Sequence, residues 1–533
     1  MRNVRAVVAL MSFFAWIAAG GTSGCGGSSG WNGNSGNGSD AGTEAETASG
    51  TSTASSGAAE GGAVEVPASG GGSTLTLRPP DGGSSSSAPS SCTSRGQCVN
   101  WSCPNAGHTT IHGTVYDPAG LNPLYDVAVY VPQSPPAPLP AGASCSTCES
   151  LYTGGVVAGA LTDADGNFSI VDAPTGTGVP LVVQIGKWRR QYEIDVADCA
   201  DTPEAALRLP ANASEGDLPN IAVSTGGADS LECLLRRIGV DTGGDGGTGE
   251  FVSGAAIGGH VHIFQGGTTM AATSGGVAGT PIAGAAMAGG SPASATGLWT
   301  SSAALQQYDI VILSCEGGET ADPNPQALND YAGLGGRVFA SHFHYNWFTL
   351  PPFAAYDLAT WTRGTNNTGN IAALIQTTLS DGVTPFPKGM AMQQWLTNVS
   401  ALTGAPPELP IQVSRHNADV SAANTPSTAW IVADPNAPAP GATQYFSWDM
   451  PVGSSSQQPC GRVVYSDLHV GAASGDYGQG PTTQNVPPGA VTPSGCANNP
   501  LSPQEKALEF MLFDLSSCLT PVSQKPRAPG TAL

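Results

Sequence analysis

The stretch from Tyr308 to Phe348, YDIVILSCEGGETADPNPQALNDYAGLGGRVFASHFHYNWF, constrains this chain more than any other. Its two apolar runs, Ile310–Leu313 and Val338–Ala340, are long enough for strands buried on both faces and too short for helices. Between them, Pro325–Leu334 reads as a helix that stops at Gly335-Gly336. Strand, crossover helix and strand make a βαβ unit, which pairs its strands in parallel. Ligands of open parallel sheets gather at the carboxyl ends of the strands. Those ends carry Ser314, Cys315, Glu316 and Glu319 after the first strand, and Ser341, His342 and His344 after the second.

Elements consistent with such a sheet flank the unit. Ile221–Val223 reads as a short strand, and Asp229 as the cap of a helix running to Ile238. Leu231, Leu234, Leu235 and Ile238 form its apolar stripe. His260–Phe264 is a further strand, with His260 and His262 on one side, where packing or exposure accounts for them. Beyond Phe348 the pattern predicts a helix over Gly389–Val399 and strand-like insertions at Ile411–Val413, Ala429–Val432 and Gln444–Trp448. GRVVYSDLHV, from Gly461 to Val470, reads as a buried strand that ends in Asp467 and His469. A last helix opens with Ser502, Pro503 and Glu505, a capping box, and carries Leu508, Met511, Leu512 and Leu515 on one stripe.

The first residues read as a targeting signal. Arg2 and Arg5 precede an apolar run from Ala6 to Ala19 that is short for a membrane span, so residues 1–25 form an expected signal peptide. Residues 26–91 are Gly, Ser, Thr and Ala with few large apolar groups, which predicts a disordered linker. From 92 to 218, runs at Thr110–Tyr116, Val127–Val131, Phe168–Val171 and Leu181–Ile185 alternate with turn residues, as in an antiparallel β-sandwich. Residues 219–518 hold the α/β pattern, and 519–533 read as a disordered tail. The formal charge of −22 opposes nucleic acid as a partner, because the field would repel phosphates.

Twelve cysteines in an exported chain point to disulfides. Candidates are Cys92, Cys98, Cys103, Cys145, Cys148, Cys199, Cys233, Cys460 and Cys496, with Cys460–Cys496 and Cys199–Cys233 as plausible pairs. Cys315, at the end of a buried strand, is the candidate free thiol. Cys145 and Cys148 have CxxC spacing in a Pro-rich loop, which favours a structural pair over a thiol catalyst. Cys98, Cys103, His108 and His112 are spaced poorly for zinc. Asp163, Asp165 and Asn167 open like a calcium loop, yet Pro174 stands where the closing Glu belongs, so a turn is expected.

Three resemblances extend this reading. Thr22-Ser23-Gly24-Cys25 looks like a lipobox with Thr22 where Leu is usual, which implies lipidation of Cys25 and a membrane anchor; ordinary signal-peptidase cleavage is the alternative. Thr162, Asp163, Gly166 and Phe168 match the T-D-x-x-G-x-F turn of carboxypeptidase regulatory-like domains, which are β-sandwiches. YDIVIL, GGRVFASHFH and GRVVYSDLH together resemble the class I glutamine amidotransferase-like fold, in its trehalose-utilisation (ThuA-like) branch. The implied fold is an N-terminal β-sandwich plus a C-terminal α/β doubly wound (flavodoxin-like) sheet behind a disordered tether. Working amidotransferases place a cysteine in a G-x-C-x-G elbow, whereas Ala340-Ser341-His342-Phe343-His344 has none, so that activity is not expected.

What remains is a cluster of strand-end groups, Glu316, Glu319, His342, His344, Asp467 and His469, with Tyr345, Trp347 and Phe348 as stacking surfaces. Such groups suit a binding or scaffolding lipoprotein of the cell envelope, its ligand an envelope carbohydrate or protein. A second expectation is a hydrolase that uses a divalent metal held by the same histidines and carboxylates. A third is a lapsed amidotransferase-like domain without a ligand.

Overall fold

A computed structural model describes residues 91–529, apart from 227, 244–248, 255, 267–292, 321–322, 454–457, 474–495 and 497–498. The expected signal peptide, Cys25 and nearly all of the linker lie outside the described residues. The described chain is β-rich and contains several sheets.

Two small sheets are built from the first part. Asn167–Val171, Thr110–Tyr116 and Asp201–Arg208 form one; Val156–Leu161, Ala128–Pro132, Gly176–Ile185, Trp188–Val196 and Gly216–Asp217 form the other. Period-2 patterning explains the burial, since along Asn167–Val171 only Phe168 and Ile170 are buried. Those two join Ile111 and Val115 against Val129, Val131, Leu181 and Val183 in a continuous apolar core. The Asp163 turn is a turn, as expected, its carboxylate accepting from the Asp165 and Asn167 amides.

The large sheet carries β1 (Ile221–Thr225), β2 (Phe251–Ser253), β3 (Val261–Gln265), β4 (Ile310–Leu313), β5 (Arg337–Ser341), β6 (Asn367–Ile375), β7 (Leu409–Arg415), β8 (Ser427–Ala433), β9 (Thr443–Met450) and β10 (Gly461–Ser466). Their order is β2-β3-β1-β4-β5-β10-β9-β8-β6-β7. The strands from β2 to β10 are paired in parallel, and the rest are antiparallel. β1, β4, β5 and β10 are buried at every position, as strands covered on both faces must be. From β1 the chain adds β2 and β3 toward one edge of the sheet, then β4 toward the other, so the order of winding reverses between the parallel neighbours β1 and β4.

Among the described residues, four helices of seven residues or more cover it: α1 (Leu231–Arg237), α2 (Pro325–Gly333), α3 (Pro387–Asn398) and α4 (Pro503–Ser516). Gly335, which ends α2, has φ +108, and a Cβ there would meet the Ser144 carbonyl at 2.2 Å, so only glycine fits. Asp229 does not cap α1; Ser230 holds the N-cap position, and Asp229 is used elsewhere. α4 begins with the expected capping box between Ser502 and Glu505. Its burial exceeds one stripe because the strands of the first part cover its other side. Tyr125 stacks on Phe510 at 5.8 Å, and Trp188 meets Phe513 edge-on at 5.9 Å. Residues 519–529, read as a disordered tail, are instead ordered far enough for Val522 to pack on the core.

The disulfides differ from the expected pairs. They are Cys92–Cys98, Cys103–Cys199, Cys145–Cys460, Cys148–Cys518 and Cys233–Cys496. Cys199–Cys233 and Cys460–Cys496 are thus corrected, because bridging follows Cα proximity in space and not closeness in sequence. Cys145 and Cys148 do not pair with each other but reach partners 315 and 370 residues away. Cys518, the partner of Cys148, lies outside the expected set. Cys315 is free and buried, as expected.

Candidate functional site

Three adjacent parallel strands, β4, β5 and β10, each send one donor atom past its carboxyl end. β4 continues into Ser314 and Cys315, β5 turns at His342, and β10 leads through Asp467 to His469. The Cys315 thiol lies 3.4 Å from His342 Nδ1, which lies 3.0 Å from His469 Nε2. All three donor atoms fall within 4.8 Å of one another, a group able to hold a metal ion.

The backbone is fixed around them. Ser341 Oγ accepts from the Cys315 amide at 2.9 Å, and its hydroxyl also bonds to Asp229. Asp229 accepts from the Val470 and Gly471 amides at 3.0 and 2.8 Å, pinning the chain just after His469. Gln504 of α4 donates to the His469 and Val470 carbonyls at 2.7 and 2.8 Å. Tyr465 Oη donates to the His342 carbonyl at 2.9 Å. His342 itself has φ +40 at the strand-to-turn corner, a conformation that costs about 1–3 kcal/mol and persists only when its surroundings enforce it. Gly226 lets the Cys315 carbonyl approach; a Cβ there would sit 2.0 Å from it.

Burial sets the electrostatics. Cys315 and His342 are fully buried and His469 is 2% exposed. Burial pushes the Cys315 thiol up to about 12, so it is neutral. It holds His342 well below the usual imidazole range, and takes His469 down to about 3, helped by the Arg415 charge. The trio is therefore uncharged near pH 7, and the thiol is the opposite of an activated nucleophile.

The other expected residues fall elsewhere. His344 is buried with its Nδ1 3.1 Å from the Ser341 carbonyl and does not join the trio. Asp467 accepts from the Asn417 and Ala418 amides at 2.6 and 3.1 Å, so it shapes the backbone, and its Oδ1 lies 3.0 Å from Tyr465 Oη, competing with the His342 carbonyl for that one hydroxyl hydrogen; burial raises it to about 7. Glu316 turns toward the ends of β1 and β3, where a Cβ on Gly266 would lie 2.7 Å from its Oε1. Glu319 sits at the rim, accepting from Tyr345 Oη at 2.6 Å and from Arg363 at 2.5 Å.

Tyr345, Trp347 and Phe348, expected as stacking surfaces, are at most 1% exposed and belong to an aromatic core with Trp361, Trp448 and Tyr465. They offer no face to a ligand. Two contributors escaped the sequence reading. Cys315 stands at a strand end in the sequence and is the expected free thiol, yet nothing local joins it to the histidine cluster. Arg415, buried at the end of β7, carried no local signal.

No family model matches the chain, and no curated protein matches it. Among solved structures, a C-terminal interface mutant of a type II cohesin–X-dockerin complex from Acetivibrio cellulolyticus is similar at 17% identity. It covers 24% of this chain and 70% of its own, with a TM-score of 0.13. An N-terminal interface mutant of that complex is similar at 15% identity over 28% of this chain and 78% of its own, also with a TM-score of 0.13. Likeness at that level carries no argument about this protein.

Proposed function

We propose that this protein is an exported, lipid-anchored binding or scaffolding protein of the cell envelope, with no catalytic turnover of its own. The observation that carries the reading is its set of five disulfides, two of which tie residues 145 and 148 to residues 460 and 518. Such bridges form and persist in oxidising compartments and suit a durable extracytoplasmic body. Lipidation of Cys25 and a carbohydrate or protein partner complete the proposal. Its large sheet is read as doubly wound, of the glutamine amidotransferase-like kind, from the parallel order on either side of β1 and β4.

Two features favour binding over chemistry. A catalytic metal keeps one position open to water, whereas Cys315, His342 and His469 are at most 2% exposed. An amidotransferase nucleophile needs an ionisable, accessible thiol, and the corner where that thiol would stand holds His342. The test is palmitate labelling and fractionation of the wild type beside Cys25→Ala, followed by co-sedimentation with isolated envelope polysaccharide and envelope proteins. Label in the membrane fraction that is lost in Cys25→Ala, with retention on one envelope component, is expected. Soluble, unlabelled wild-type protein would contradict the anchor, and His342-dependent hydrolysis of ester or amide substrates would contradict the non-catalytic role.

A further inference from the structure

We propose that Cys315, His342 and His469 form a closed binding site for a soft, thiophilic metal ion, copper(I) in preference to zinc(II). The inference goes beyond the scaffolding role and stands on the geometry of the strand ends alone.

The donor set fits the ion. One sulfur and two imidazole nitrogens arrive from three neighbouring strands, 3.4 and 3.0 Å apart along the chain of contacts and all within 4.8 Å. Metal–nitrogen bonds of about 2.0–2.1 Å and a metal–sulfur bond of about 2.3 Å space such donors roughly 3.3–3.7 Å apart. The two short contacts therefore need to open by only a few tenths of an ångström, while the Cys315–His469 pair, within 4.8 Å, closes onto the same ion. Thiolate selects copper(I) and zinc, while calcium, magnesium and manganese prefer the oxygen donors that this trio lacks.

Binding balances simply. The ion forms a sulfur–metal bond in place of the Cys315 S–H, and that proton leaves to solvent. The hydrogen now shared between His342 Nδ1 and His469 Nε2 moves to the far nitrogen of whichever ring carries it. The outer contacts that orient a metal site are already present: Ser341 on the Cys315 amide, Tyr465 on the His342 carbonyl, Gln504 on the His469 carbonyl.

Coordination number and charge decide between the two ions. The described residues supply three donors, which satisfy copper(I), whereas zinc takes four. Copper(I) with one thiolate is neutral. Zinc(II) with one thiolate keeps a positive charge beside the buried Arg415 guanidinium, and the Asp229 carboxylate is engaged by the Val470 and Gly471 amides. Phe343 leans on the His342 ring, with centroids 4.1 Å apart.

The test uses the full chain carrying Cys25→Ser, which removes the other cysteine outside the five disulfides, with those disulfides formed. It is titrated anaerobically with copper(I) against a chromophoric copper(I) chelator, and separately with zinc(II). The expected result is one equivalent of copper(I) held against the chelator, tighter than zinc. Cys315→Ser and His469→Ala weaken binding at least 100-fold, since loss of outer-shell partners alone costs about 10–100-fold; His344→Ala retains it. Folded protein that takes up no copper(I), tighter zinc binding, or uptake unchanged by Cys315→Ser would each overturn the assignment. The unsubstituted site decides the matter even where a variant misfolds. Copper binding by a protein that shows no envelope association would leave this site standing and remove only the scaffolding role.

Discussion

Two buried polar clusters sit on the same large sheet and solve opposite problems. Beneath α4, Asp514 meets Lys388 at 2.5 Å and Arg462 at 2.9 Å, and Arg462 also meets Asp449 at 2.7 Å. Every charge there has an opposite charge in contact, and Asp514 is held below its ordinary value by Lys388 and Arg462 despite the desolvation that opposes them. At the carboxyl ends of β4, β5 and β10, burial instead suppresses charge altogether, leaving a neutral thiol and two neutral imidazoles in mutual contact. The first cluster is closed on itself and holds the fold. The second is a set of soft donors whose contacts an ion can replace. The difference is one of chemistry and not of burial, since Lys388, Arg462 and Asp514 are as deeply buried as the trio.

That comparison can be broken or sharpened. The largest effect is expected from Asp514→Ala, which leaves the buried Lys388 with only Asp126 at 3.9 Å and Arg462 with Asp449 alone, and costs about 3–5 kcal/mol. Cys315→Ala should cost only about 1 kcal/mol, within the ordinary range for single substitutions. Equal losses in chemical denaturation would erase the distinction. Next, replacing Cys148 and Cys518 together by alanine should cost about 2–5 kcal/mol, because the bridge closes a long loop; an unchanged denaturation midpoint would show that the bridge adds nothing. Ser502→Ala should cost about 0.5–2 kcal/mol through the lost α4 cap, read as a shift in melting temperature, and no shift would mean that packing alone holds the helix start.

The smallest effect depends on pH. Asp117, raised by burial to about 6, and Glu509, raised by burial and by the Asp117 charge, share a hydrogen bond between the first part and α4. Raised carboxyl values mean that the folded state keeps protons the unfolded state releases. Their stabilisation is therefore full below about pH 4 and declines as pH rises through the folded values. Glu509→Gln removes part of that decline while keeping an oxygen for Asn122, which now donates to Glu509 at 2.7 Å. The advantage of the wild type over Glu509→Gln should shrink between pH 4 and pH 7; a constant difference in denaturation midpoint would refute the shared-proton pair.

Local signals carried much of the fold. The Ile310–Leu313 strand, the Pro325 helix with its glycine stop and the Ser502–Glu505 capping box follow from nearest neighbours along the chain, and the structure places each there. Long-range matters were not legible. Cys145 gives no sign that Cys460 is its partner, and Asp229 looks like a helix cap until Val470 and Gly471 arrive from far along the sequence. Tyr345, Trp347 and Phe348 read as an exposed platform because nothing local reveals the tryptophans that bury them. Of the site, His342 and His469 were marked by their positions at strand ends, whereas the role of Cys315 depended on two rings placed by other strands.

The most direct test of the central claim is X-ray absorption at the copper edge of the Cys25→Ser chain loaded with one equivalent of copper(I). One sulfur at about 2.2–2.3 Å and two imidazole nitrogens at about 2.0 Å are predicted. A first shell of nitrogen and oxygen alone would contradict it.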